Sequence, residues 1–426
     1  MNQEGVWMNY PNKIFAVGDL HGDFYVLEHV LLDLAKVASK ESDTFQWIGG
    51  DNIIVFCGDL IDRYRKRPGI HYTVDDENSD KKIIIELINL KKQAKSKGGD
   101  VVLLLGNHEL LNFEGAFNYV SNFGKYDERK NDFKRGSDFV KLIAENFLLA
   151  AKIENWVFVH GGFCPSAFKD NAYLTSGNCI PKLNKVIKGY LIDPNFFNNP
   201  NITQSDKDQM QILIDALYGI NENKSPLNCR HYGTNKKIDN CEVELDTKVF
   251  RFLFEDPSKG KMVIAHTPQF ISNMNINSTC EGKIWRLDVG MSRGFDEHYK
   301  MIEKMLVKTG MNLIKQLRTV ISQDNYRYMA ILEISKTNQK IITEKRFSRD
   351  KYRNNNLENS EAIFTIHQLD SLKKKLENGN LKLIPDIEYQ QKDIIDNINQ
   401  LINYLQQKHP KELIGGGNDN IYLIHY

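Results

Sequence analysis

Five short apolar runs, rich in β-branched residues, each stop abruptly at Gly, Asp, Asn or His, and this repeated ending limits the folds open to the chain. Residues 14–17 lead into Gly18-Asp19-Leu20-His21-Gly22, 53–57 into Gly58-Asp59-Leu60-Ile61-Asp62-Arg63, and 101–105 into Gly106-Asn107-His108-Glu109. Residues 156–159 lead into His160-Gly161-Gly162, and 262–264 into Ala265-His266-Thr267-Pro268-Gln269. Continuously apolar runs of this length fit strands buried on both faces. In open α/β sheets the ligand crevice lies at the carboxyl ends of the strands. Five endings rich in Asp, His and Asn are therefore expected to meet around one crevice.

The donor types indicate the chemistry. Carboxylate, amide and imidazole ligands without thiolate suit manganese, iron or zinc in a catalytic site rather than a Cys-rich structural one. A phosphate ester resists attack because its oxygens repel the nucleophile. Two divalent cations about 3.5–4 Å apart offset that charge and lower the pKa of a water. Asp19, His21 and Asp59 are expected on one cation, and Asp59, Asn107, His160 and His266 on the other, with Asp59 as the bridge. Any single motif alone reads as a turn or helix cap; the ordered set points to a two-metal hydrolase.

The set resembles the phosphoprotein phosphatase family within the calcineurin-like metallophosphoesterase superfamily. The segments His160-Gly161-Gly162, Ala265-His266-Thr267-Pro268-Gln269 and Asp288-Val289-Gly290-Met291-Ser292 look closest to its bacterial-type Shewanella-like serine/threonine phosphatase branch. Glu109 after Asn107-His108, and a single histidine in the last motif, set it apart from related nucleases and nucleotidases. The resemblance spans about residues 11–335 and implies α/β architecture: a four-layer fold of two stacked mixed sheets flanked by helices. It implies two divalent ions, manganese foremost with iron or zinc as alternatives. It also implies His108 as the acid for the leaving oxygen, Asp62 as its orienting carboxylate, Arg63 as a phosphate clamp and Asn107 as a phosphate contact. Arg230, in Ser225-Pro226-Leu227-Asn228-Cys229-Arg230, is the candidate second clamp. Asp288 is expected behind the ligands rather than on a metal.

Two departures from the family pattern stand out. Tyr64 replaces the usual glycine after Arg63, which questions the turn there because non-glycine residues tolerate positive φ poorly. The tryptophan usual before the second arginine is absent, with Asn228-Cys229 in its place. The implied activity is phosphomonoester hydrolysis on phosphoserine or phosphothreonine proteins. Alternatives are a dinucleoside polyphosphate or nucleotide hydrolase on the same scaffold, and a non-catalytic scaffold that binds phosphoproteins.

Composition excludes rather than selects. A net charge of +1 over 426 residues gives no general reason for nucleic-acid or membrane binding. Cys57, Cys164, Cys179, Cys229, Cys241 and Cys280 are scattered without Cys-X-X-Cys spacing, which suggests reduced thiols in an intracellular, cytoplasmic protein. No signal peptide or membrane span is read from the sequence, so a soluble chain is expected. Outside the motifs, His231 draws notice because it adjoins Arg230, whereas Arg65, Lys66 and Arg67 read as a solvated loop.

Helical periodicity is expected after Asp23 (Leu27, Val30, Leu31, Leu34, Val37), over 80–97 and over 138–151. A catalytic domain is read over 11–350. Within it, 165–260 is a cap-like insertion with helices near 183–191 and 205–218, and 326–334 with 339–346 form a closing hairpin. Residues 351–426 form a C-terminal extension without a readable role, carrying an apolar stripe over 387–405. The Gly415-Gly416-Gly417 run lacks the Lys-Ser/Thr of a phosphate-binding loop.

Overall fold

The computed structural model describes residues 4–7, 11–64, 79–120, 126–169, 172–175, 178–234, 238–269, 275–295 and 326–347, with residues 373, 374 and 399 beyond. In chain order the strands are β1 (Val6–Trp7), β2 (Ile14–Val17), β3 (Ala38–Glu41), β4 (Thr44–Trp47), β5 (Ile53–Phe56), β6 (Asp100–Leu104) and β7 (Phe147–Leu148). They continue with β8 (Ala150–Ile153), β9 (Trp156–Val159), β10 (Lys261–Ile264), β11 (Asn277–Thr279), β12 (Ile284–Arg286), β13 (Tyr326–Ile334) and β14 (Gln339–Phe347). The helices are α1 (Phe24–His29), α2 (Asp80–Ser96), α3 (Asn107–Phe113), α4 (Tyr126–Asp132) and α5 (Asp138–Asn146). After these come α6 (Pro165–Lys169), α7 (Ala172–Thr175), α8 (Cys179–Ile192), α9 (Gln204–Leu217) and α10 (Cys241–Lys248).

Two mixed sheets form the centre, ordered β14-β13-β2-β5-β6-β7 and β1-β8-β9-β10-β12-β11. In the first, β2, β5 and β6 run parallel, with Val17 opposite Phe56 and Phe56 opposite Leu103. In the second, β9, β10 and β12 run parallel, with Val263 opposite both Phe158 and Trp285. All residues of β2, β5, β6 and β9 are buried, which is why these strands read as unbroken apolar runs. The two sheets share one hydrophobic core. Each contributes three parallel strand ends, and those ends carry the motifs.

Asp23 caps α1 by accepting from the Val26 amide at 3.3 Å. The helix then runs on into a π-helical turn over Val30–Leu34. The expected hairpin at 326–346 is present as β13 and β14, and β13 pairs antiparallel with β2.

Three expectations need correction. The helix read over 138–151 ends at Asn146, and β7 and β8 follow it. Leu103 and Leu104 offer β7 a ladder, and Asn184 Oδ1 accepts from the Leu149 and Ala150 amides at 2.8 and 3.1 Å. These partners override local helical periodicity. The insertion is also not simply a cap: α8 packs on α5 and β8, and α9 packs on α8 and α3. Its loop from Ser225 to Arg230 is what reaches the strand ends. Finally, Cys164 pairs with Cys229 and Cys241 with Cys280, at Cα separations of 6.6 and 5.1 Å, leaving Cys57 and Cys179 as buried thiols. Cysteines 65 and 39 residues apart leave no local spacing signal. The pairing removes the cysteine argument for a reducing compartment.

The chain falls into two compact units: Met1–Asp296 with Arg327–Arg346, and Glu297–Tyr326 with Phe347–Tyr426. The second lies almost wholly outside the described residues, as do Arg65, Lys66, Arg67, the stripe over 387–405 and the Gly415-Gly416-Gly417 run. Among the described residues, no helix is long and apolar enough to cross a membrane.

Candidate active site

Four of the motif loops turn through left-handed backbone as their strands end, whereas the third enters α3 directly. His21, Asp59, Asp62 and His266 all adopt positive φ, at 42°, 51°, 70° and 65°. Such conformations cost about 1–3 kcal/mol each in non-glycine residues and persist where the surroundings impose them. The turn questioned at Tyr64 places its left-handed positions at Asp59 and Asp62 instead, and the Tyr64 amide donates to Tyr119 O at 3.0 Å. Gly58 is a real requirement. At φ 91°, a Cβ there would lie 2.7 Å from the Gly106 nitrogen and 2.8 Å from His160 Nδ1, so the three loops pack this closely only without a side chain.

Glu109 straps the second and third loops together. Its Oε2 accepts from the Asp59 and Gly106 amides at 3.0 and 2.7 Å, and its Oε1 from Leu60 at 2.8 Å. Burial and the Asp59 charge push its pKa up to about 7, against the pull of those amides. The residue that narrows the sequence resemblance is thus a brace for the bridge candidate.

Asp59 lies at the centre. Its Oδ1 accepts from the His108 amide at 3.0 Å. Its Oδ2 faces His160 Nε2 at 3.2 Å, His108 Nε2 at 3.8 Å and His21 Nε2 at 3.9 Å. Among the described residues, two groups place ligand atoms within 4.8 Å of one another: His21, Asp59 and His108, and Asp59, His160 and His266. Asp59 belongs to both. Asp19 Oδ2 is 3.6 Å from His21 Nε2, and Asn107 Oδ1 is 3.0 Å from His160 Nε2. The structure therefore brings all six expected ligands to one place.

This donor set fits divalent cations. His21 Nδ1 donates to Ile61 O at 3.2 Å and His160 Nδ1 to Cys57 O at 2.8 Å, which leaves both Nε2 atoms facing Asp59. Asp19, Asp59 and Asp288 are all buried. Burial, then the Asp288 and Asp59 charges, push the Asp19 pKa well up, and burial raises Asp288 as well. Packed carboxylates of this kind call for positive charge. Burial, then the His160 and Arg230 charges, hold His266 well below the ordinary histidine range, so it is a neutral imidazole able to donate a lone pair.

His160 differs. Burial, the largest single influence, would lower its pKa, but the Asp59 charge and hydrogen bond, the Cys57 carbonyl and the Glu109 charge together raise it. With Nδ1 donating to Cys57 O, a second ring proton has its place on Nε2, the atom that would face a cation. Cation uptake is therefore expected to release a proton. Affinity should fall as pH drops below the raised value and level off above it. Calorimetry in buffers of different protonation enthalpy checks this; heats independent of buffer at mildly acidic pH would count against it.

Beside the ligands, His108 Nδ1 lies 2.9 Å from Asp62 Oδ2. Asn112 Nδ2 donates to the same oxygen at 2.9 Å, and Arg129 Nη2 donates to Asp62 Oδ1 at 2.6 Å. Neither Asn112 nor Arg129 was found by sequence reasoning: Asn112 lies beyond the motif, and Arg129 sits among the charged residues Asp127, Glu128 and Lys130, with no motif to mark it. The Tyr119 ring stands edge-on to His108 with centroids 4.6 Å apart.

The arginines part company. Arg63 is 1% exposed; its Nη2 donates to Gly22 O at 2.6 Å and lies 3.6 Å from Asp23 Oδ1. Its guanidinium is drawn into the first loop. Arg230 is exposed, and its Nη1 donates to His266 O at 3.0 Å and lies 3.3 Å from Thr267 Oγ1. Pro226 O accepts from the Gly161 and Gly162 amides at 2.7 and 3.1 Å, docking this insertion loop on the fourth motif. The Cys164–Cys229 bridge holds it there, one residue before Arg230. His231 pairs with Glu244 at 3.2 Å and serves α10. Asp288 Oδ1 accepts from Gly290 N at 2.9 Å.

Fold and site together define a metal-dependent phosphoesterase. A family model for calcineurin-like phosphoesterases matches residues 12–208. An uncharacterized protein of Acanthamoeba polyphaga mimivirus is 31% identical over 242 residues, covering 50% of this chain and 88% of that one. Shewanella-like protein phosphatase 2 of Arabidopsis thaliana is 22% identical over 356 residues, covering 71% of this chain and 78% of that one. A solved cold-active protein tyrosine phosphatase matches with a TM-score of 0.51 at 18% identity, over 82% of this chain and 83% of that one. At that identity the likeness speaks for the fold. The chain belongs to the calcineurin-like phosphoesterase family, with relatives in the Shewanella-like protein phosphatase branch.

Proposed function

We propose that the chain is a protein phosphatase for phosphoserine and phosphothreonine that works with two divalent cations, manganese foremost. The observation that carries this reading is that Asp59 belongs to both ligand groups while His108, held by Asp62, stands beside it. Bound cations would supply charge neutralisation and an acidified water. Asp19, His21 and Asp59 would hold one, and Asp59, Asn107, His160 and His266 the other.

The chain's own residues then divide the remaining work. His108 gives the proton on Nε2 to the departing oxygen, its ring held by Asp62 at Nδ1. Asn107 contacts the phosphate, and Arg230, exposed beside His266, is one clamp. Arg63 is the other clamp, as the motif implies: one donor of its guanidinium anchors Gly22 O, and the fork carries five.

The leaving group supports the choice of substrate. A serine or threonine alkoxide departs poorly without a proton, so a positioned acid has value there. A phosphoanhydride leaving group gains much less. The Arabidopsis relative is named a protein phosphatase, and the structural neighbour a tyrosine phosphatase. With added manganese, phosphoserine and phosphothreonine peptides should turn over faster than phosphotyrosine peptides or diadenosine tetraphosphate. Faster turnover of the dinucleotide would overturn the assignment in favour of a nucleotide hydrolase. Failure to release p-nitrophenol from its phosphate would make the protein a binding scaffold.

A further inference from the structure

The His108–Asp62 pair does not stand alone. Arg129, buried on α4, directs every face of its guanidinium at a named partner. Nη2 donates to Asp62 Oδ1 at 2.6 Å, Nη1 to Asp80 Oδ2 at 2.6 Å, and Nε to Asn112 Oδ1 at 2.7 Å. Each partner is tied back to the same point. Asp80 Oδ2, at the start of α2, also accepts from the Asp62 amide at 3.2 Å. Asn112, one turn along α3 from His108, donates to Asp62 Oδ2 and to His108 O, both at 2.9 Å. The Arg129 guanidinium also lies 4.7 Å from the centre of the Phe133 ring, which is itself buried.

A carboxylate held at one oxygen by an imidazole can still rock about its Cα–Cβ bond. Here Asp62 is gripped at both oxygens from two directions, in a turn with φ at 70°. A planar guanidinium with several donors in a fixed fork suits such a grip; a lysine ammonium reaches one partner well and the others poorly.

We propose that Arg129 is a positioning residue for the leaving-group proton: it fixes the Asp62 carboxylate on His108 Nδ1 and so aims His108 Nε2 at the departing oxygen. This deepens the phosphatase reading and rests on His108 acting as the acid. Arg129 itself touches no substrate.

The test separates positioning from simple bracing. Arg129→Gln is expected to lower kcat on a phosphoserine peptide by about 10–100-fold, the scale of losses seen when a partner behind a key ligand is removed. KM and cation content should hold, and p-nitrophenyl phosphate, whose leaving group departs unaided, should lose far less. Arg129→Lys should recover part of the loss. In a His108→Asn background, Arg129→Gln should cost nothing further, because both act through one proton. Equal losses on the two substrates, or losses that multiply in the double variant, would reduce Arg129 to a brace and overturn the proposal. Should Arg129→Gln fail to fold, Arg129→Lys carries the same comparisons.

A readout without turnover keeps the two readings apart. The His108 Nδ1 proton, assigned by its disappearance in His108→Asn, should give a hydrogen-bonded resonance that shifts or broadens in Arg129→Gln and Arg129→Lys. If that shift occurs in a protein that hydrolyses no phosphoester, the positioning stands and the proposed activity falls. An unmoved resonance overturns the positioning whatever the activity.

Discussion

Asp59→Asn is expected to lower turnover by about 10³-fold or more, which corresponds to about 4 kcal/mol of lost transition-state stabilisation. The two Asp59 oxygens have separate duties. Oδ1 accepts from the His108 amide at 3.0 Å, whereas Oδ2 faces the imidazoles of His160, His108 and His21. Asparagine can keep the first duty with its carbonyl, which turns its NH₂ donors toward the place where cations would sit. The backbone is spared, because asparagine tolerates the left-handed conformation that Asp59 adopts at φ 51°. The variant should therefore fold, with cation stoichiometry reduced at both positions. Metal analysis and phosphopeptide turnover check the pair of outcomes. Two tightly bound cations with activity within tenfold of the parent would remove Asp59 as the bridge.

His108→Asn should act more selectively. Loss of a positioned acid costs about 10²–10⁴-fold, and the full cost is expected on phosphoserine peptides. Aryl phosphates should fall much less. Asp62 stays in place because Asn112 and Arg129 still hold it, at 2.9 and 2.6 Å. His108 also belongs to one of the two ligand groups, so cation content decides between its possible roles. Cations retained with leaving-group-dependent loss identify an acid. Cations lost with uniform loss on both substrates identify a ligand instead.

Much of the site was legible because each ligand follows its strand closely. Asp19 lies two residues beyond β2, Asp59 three beyond β5, and His160 directly after β9. A buried strand and a polar turn leave a local signal, an apolar run with an abrupt ending, which needs no knowledge of the partner. The α1 cap was readable for the same reason, since Asp23 and Val26 are close in the chain. The β3–β4 hairpin and the β7–β8 segment were not read. The latter is made extended by Leu103, Leu104 and Asn184, which are distant in sequence.

The chain's order of residues was enough to determine the class of fold and to single out the six side chains that the structure brings together, because donor chemistry and strand burial are properties of short segments. Tertiary structure alone decided the rest. It made Asp59 common to both ligand groups, turned Arg63 inward while leaving Arg230 exposed, and paired Cys164 with Cys229. It also set Arg129 on Asp62 across 67 residues of chain. Direction and distance between side chains far apart in sequence come from how sheets and helices pack, and no local pattern of residues encodes them.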